Sequence, residues 1–104
     1  MLTFNLKKEW FEKIKSGEKT HEYRVFSSYW VKRITNAFKN NNFDIGMECK
    51  FALGYPNKND NARILRAKIK CITLLPSGIN TDLQIDMPVY DIEFELIKEK
   101  IWTN

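Results

Sequence analysis

The chain of 104 residues is long enough for one domain with a hydrophobic core, and its 43% apolar and 13% aromatic content excludes a disordered polymer. No apolar run approaches the roughly 18–20 residues of a membrane span. The opening "MLTFNLKKEW" lacks the charged-then-apolar order of a secretory signal, so a cytoplasmic protein is expected. The net charge of +4 lies entirely in residues 1–50, with ten Lys/Arg against six Asp/Glu, while residues 51–104 hold seven of each. Such an imbalance admits a phosphate-bearing partner without requiring one.

In chain order, "LTFNL" alternates and predicts a short strand. "KKEWFEKIKSG" follows with Leu6, Trp10 and Ile14 at steps of four and Phe11 beside them, the apolar stripe of an amphipathic helix. Gly17 suits the left-handed residue that ends it. "KTHEYRVF" is rich in β-branched and aromatic residues and predicts a strand. "SSYWVKRITNAF" restarts the helical period through Trp30, Ile34, Ala37 and Phe38, with Ser27 or Ser28 as the N-cap. "KNNNFDIG" is the loop that stops it. "MECKFALGY" predicts a strand that ends in the breaker-rich turn "GYPNKNDN". Residues 63–73 alternate cleanly, with Leu65, Ala67, Ile69 and Cys71 on one face and Arg66, Lys68 and Lys70 on the other. "PSGINTDLQIDMP" is expected as a loop or short helix. Residues 89–97 alternate again, Tyr90, Ile92, Phe94 and Leu96 against Asp91, Glu93 and Glu95.

The basic row at Arg66, Lys68 and Lys70 suggests a nucleic-acid track, but the acidic row of the last strand is its natural cross-strand partner, which makes a solvated face the expected outcome. Cys49 and Cys71 fall in separate strands, and the single histidine, His21, cannot complete a zinc ligand set. Two reduced thiols and no bound metal are expected, and no residue pattern calls for a cofactor.

The segment "SGEKTHEYR" is harder to explain as ordinary strand. Side chains two apart share a strand face, so Thr20, Glu22 and Arg24 point one way and His21, Tyr23 and Val25 the other. Lys19, at the helix-to-strand turn, can swing toward Glu22. On charge alone, a surface cluster accounts for these residues. Gly17, Lys19, Glu22 and Arg24 also spell G-x-K-x-x-E-x-R, which resembles the signature of the ASCH domain, a relative of PUA domains. The block "EWFEKIKSGEKTHEYR", the "YWVKRI" helix, the "KFALGY" strand and the closing "VYDIEFELI" resemble the small bacterial and phage form of that family, over most of residues 2–97.

The resemblance implies a mainly β, α+β fold: a small PUA-like barrel of about five or six strands with two flanking helices, as a single domain over residues 1–104. It also implies a cleft in which Lys19 and Arg24 meet phosphate or a base edge. Glu22 would orient those cations or accept from an exocyclic amine. Tyr23, Tyr29, Trp30 and Tyr55 are the aromatic candidates for stacking. Trp30 lies on the apolar stripe of its helix and is expected to pack in the core, with Tyr29 and Arg33 nearer the rim. The nucleotide-binding set is thus Lys19, Glu22, Arg24, Tyr29, Arg33 and Tyr55, with RNA or a modified nucleotide as partner. The alternative the resemblance implies is a small metal-independent hydrolase, a ribonuclease or an N(4)-acetylcytidine amidohydrolase, with Lys19, Glu22 and Arg24 catalytic. The amidohydrolase relatives carry Thr where this chain has Glu22, and a Glu before the last strand where this chain has Asp82 and Asp86.

Overall fold

A computed structural model describes residues 1–42, 44–57 and 59–98. The expected loops over 39–46 and 54–61 include positions 43 and 58, and the expected domain includes 99–104; these positions lie outside the described residues. The elements run β1 (Leu2–Leu6), α1 (Lys8–Ser16), β2 (His21–Val25), α2 (Ser28–Asn40), β3 (Glu48–Leu53), a 3-10 turn at Asn61–Arg63, β4 (Ile64–Leu75) and β5 (Val89–Leu96). The fold is α+β and mainly β, as expected: five strands in one sheet curled into a half-barrel, with two helices.

The sheet order is β1-β3-β4-β5-β2. β1 runs parallel to β3, and the other neighbours are antiparallel. This order makes β1 and β2, the strands on either side of α1, the two edges of the sheet. A shared core draws on β1, β3, β4, β5 and both helices, through Phe4, Phe11, Ile14, Ile34, Phe51, Ile69, Ile92 and Phe94. Alternation explains most of it, because Leu2, Phe4 and Leu6 are buried on β1 and Ala67 and Ile69 on β4. α1 ends where Gly17 takes φ 86°, with its N–H on the Ile14 carbonyl. Ser27 caps α2 by accepting from the Trp30 N–H at 3.3 Å.

One expectation of facing fails on β4. The pairing shifts register between Ile69 and Cys71, so that Ile69 opposes Phe94 and Cys71 opposes Glu93. The extra residue reverses the alternation beyond it. Cys71 therefore lies exposed, not beside Ala67 and Ile69, and Ile72 packs toward the core instead. The charged rows do pair across strands, although by two routes. Lys70 meets Glu93 of β5 at 3.6 Å, whereas Arg66 meets Glu48 of β3 at 2.7 Å. Among the described residues, no helix is long and apolar enough to cross a membrane.

The segment between β4 and β5 is a loop and contains no helix. A bridge between Gly78 and Ile85 pinches its base, and Ser77 Oγ donates to Asp86 at 2.7 Å. Gly78 is required there. A Cβ on it would lie 2.6 Å from Val89 Cγ1 and 3.1 Å from the Ile85 carbonyl. The loop thus folds down over Val89, which is fully buried, and carries Asp82 toward the start of β2.

Candidate functional site

The edge strands β1 and β2 approach each other without forming a ladder, and Arg24 spans the gap. Its NH2 group donates to the Asn5 carbonyl on β1 at 3.2 Å and to Glu22 Oε2 at 3.0 Å. The Leu6 carbonyl is taken by the Gly54 N–H on the β3 side, so the Asn5 carbonyl belongs to the other, free edge of β1. A guanidinium here does part of what a sixth strand would do. It satisfies an edge carbonyl while keeping the seam open.

Glu22 is the anchor. It is 5% exposed and is the one charged or polar residue among the buried residues described. A buried carboxylate is costly unless partnered, and this one is fully engaged. Oε1 accepts the Tyr23 N–H at 2.9 Å and lies 3.4 Å from Lys19 Nζ, while Oε2 holds Arg24. Both Glu22 oxygens are thus engaged by the two cations and the backbone of its own strand.

The two cations are set against aromatic faces as well as carboxylates. Arg24 Cζ lies 4.9 Å from the Trp30 ring and 5.2 Å from that of Phe4. Lys19 Nζ lies 5.0 Å from Tyr23 and 5.4 Å from Trp10. Placement over a ring face is attractive for a cation and fixes its position. Arg24 Nε is buried and has no hydrogen-bond partner among the described residues. Such a donor retains the full cost of its desolvation, about 1–3 kcal/mol.

Asp82 completes the site from the far loop, with its carboxylate on Lys19 Nζ. The sequence offered Asp82 as a poor replacement for a glutamate, and gave no sign that it would reach Lys19. Asp86 is elsewhere, bound to Ser77. The Lys19–Asp82 bridge stands between two hollows that share Trp10, Tyr23 and Asp82. One, of about 330 Å³, is walled by Asn5, Glu22, Arg24, Trp30 and Leu83. The other, of about 340 Å³, is walled by Lys13, Lys19, Thr20 and His21.

Of the six residues expected to bind, three converge. Glu22 and Arg24 line the first hollow and Lys19 the second. Tyr29 and Arg33 line neither. They lie outside against Trp30, with the Tyr29 ring 5.1 Å from it and Arg33 Cζ 5.2 Å from Tyr29. Trp30, expected in the core, is both core and wall; it packs on Phe4 with ring centroids 5.4 Å apart. Tyr55 is 92% exposed and sits on a separate groove. His21 hydrogen-bonds Asp91 at 2.7 Å. Sequence reasoning missed Trp10, Asn5 and Lys7, since helix and strand periodicity marks them as ordinary stripe or surface positions.

Nearby titrating groups register this carboxylate-rich setting. Burial, then the charges of Asp91, Asp82 and Glu22, raises the Tyr23 hydroxyl above its usual range. Burial, then Glu22 and Glu48, pushes the Cys49 thiol up to about 12. No group of three or more His, Cys, Asp or Glu side chains that could hold a metal comes together among the described residues.

No protein-family model matches the chain, and no curated protein does. Among solved structures, the crystal structure of hypothetical protein PH0355 superposes with a TM-score of 0.51 at 19% identity, covering 92% of this chain and 98% of that one. At that identity the likeness speaks to the fold alone.

Proposed function

We propose that this chain is an ASCH-type domain that binds RNA, or a modified nucleotide within it, in the cleft at the β1–β2 seam. The observation that carries the reading is the Lys19–Glu22–Arg24 cluster, converging under aromatic rings beside a hollow of about 330 Å³. A purely structural ion pair does not need the hollow beside it. The Arg24 guanidinium suits a phosphate or the hydrogen-bonding edge of a base. Trp10, Trp30 and Tyr23 offer ring faces at the same place. No side chain caps α1, so its first-turn N–H groups, beginning beside Lys7, add positive potential to this end. The G-x-K-x-x-E-x-R spacing and its resemblance to ASCH domains point to the same ligand class.

Covalent catalysis by Lys19 has less support. Its ammonium is shared by two carboxylates, whereas a nucleophilic lysine is activated in apolar or cationic surroundings. The test of the reading is a titration with short single-stranded RNA at several salt concentrations. Arg24→Ala and Lys19→Ala are expected to weaken binding at least tenfold and to flatten its salt dependence. Variants that remain folded by circular dichroism yet bind like wild type would overturn it. Turnover of RNA or of acetylated cytidine that Lys19→Ala abolishes would favour the hydrolase alternative.

A further inference from the structure

We infer that the ligand is an extended single strand and not a free mononucleotide, because the cleft continues into a second groove with the chemistry of a strand track. This inference rests on the reading of the seam as a nucleotide site. Asn5, Leu6 and Lys7 line both spaces, so the two are contiguous along the end of β1 and the start of α1. The second groove has about 830 Å³ of space against about 330 Å³ for the first. Lys7, Lys8 and Arg63 line it. Lys7 and Lys8 make no ion pair among the described residues, and Arg63 has Asp60 near its Nε at 3.4 Å.

Tyr55 stands at this groove with 92% of its surface exposed. An isolated exposed Tyr requires no explanation by itself. Here the ring follows Gly54, which takes φ 62°, and the Asn5 side chain donates to the Gly54 carbonyl at 2.7 Å. β1 therefore fixes the turn that presents the ring. Single-strand sites combine such a stacking face with a row of cations that follows the phosphates. A mononucleotide in the first hollow would use neither Tyr55 nor Lys8 nor Arg63.

The test compares each of the four nucleoside monophosphates with the matching single-stranded RNA homohexamer, by calorimetry or anisotropy at two or more salt concentrations. The hexamers are expected to bind at least tenfold more tightly than the mononucleotides. Tyr55→Ala should remove about tenfold of hexamer affinity. The double variant Lys8→Ala, Arg63→Ala should lower the salt slope by about 1.4. Both variants should leave mononucleotide affinity unchanged, while Arg24→Ala weakens both ligands. Hexamers that bind no better than mononucleotides, or groove variants that bind hexamers like wild type, would overturn the inference and leave the cleft reading standing. Failure of wild type to bind either ligand would remove both.

Discussion

The same sheet carries two groups of charges that behave in opposite ways. On the outer face of β4, Arg66 and Lys70 sit partly exposed and reach Glu48 and Glu93 across neighbouring strands. At the β1–β2 seam, Lys19, Glu22 and Arg24 lie largely buried, against aromatic rings and a carbonyl of the opposite edge. The first group is solvated whether or not its pairs form, so each pair contributes at most about 1 kcal/mol. The second has given up its water and depends on each partner, so removing one strands the others. A residue count treats both groups alike. Burial separates a charged face from a candidate site.

The largest expected effect tests that dependence directly. Glu22→Ala leaves Arg24 and Lys19 without their shared carboxylate and should lower unfolding free energy by about 3 kcal/mol in urea denaturation. Glu93→Ala on the outer face should change it by less than about 0.5 kcal/mol. Equal losses would erase the distinction between the two regions. Gly78→Ala should come next, at about 1–3 kcal/mol. Its new Cβ would collide with Val89 and lift the loop that brings Asp82 to Lys19. The variant should therefore also expose the seam faster in hydrogen exchange, which an unconnected loop would not do.

The two thiols sharpen the comparison, since Cys49 feels the buried Glu22 while Cys71 opposes Glu93 on the open face. At pH 8–9 an alkylating reagent should label Cys71 in the folded protein and reach Cys49 only after denaturation. The Cys49 thiol is raised from 9.0 to about 12, so above pH 9 the unfolded chain loses this proton first. Stability should fall between pH 9 and 12, by up to about 1.4 kcal/mol per pH unit from this group. Cys49→Ala should flatten that fall. The smallest effect is expected from Asp82→Asn, which removes a negative charge from the cation a phosphate would seek. Phosphate-bearing ligands should bind a few-fold more tightly with stability nearly unchanged. Weaker binding would instead make Asp82 part of the recognition surface.

Several parts of this arrangement were legible from the residues. The stripe of Trp10, Phe11 and Ile14 and the αL glycine at 17 delimit α1, and Ser27 marks the start of α2. The two-residue period on β2 puts Glu22 and Arg24 together, and Lys19 reaches Glu22 as expected. The alternation of β4 was legible up to Ile69 and misleading beyond it, because nothing in "KIKCIT" announces an extra residue in the ladder. Tyr29 and Arg33 were expected near the rim of the cleft, but they line neither hollow, and from α2 Trp30 alone reaches the first. Asp82 was unreadable, since its partner is 63 positions away and the loop has no repeating pattern.

The sequence by itself determined the local elements and one compact run of charge, because periodicity and capping act over a few residues. Tertiary structure decided everything that depends on closure. The curl of the sheet brings Asn5 opposite Arg24, a bulge turns Cys71 out of the core, and a folded loop carries a distant aspartate to Lys19. Burial sets the cost of each of these charges, and it is a property of the assembled chain.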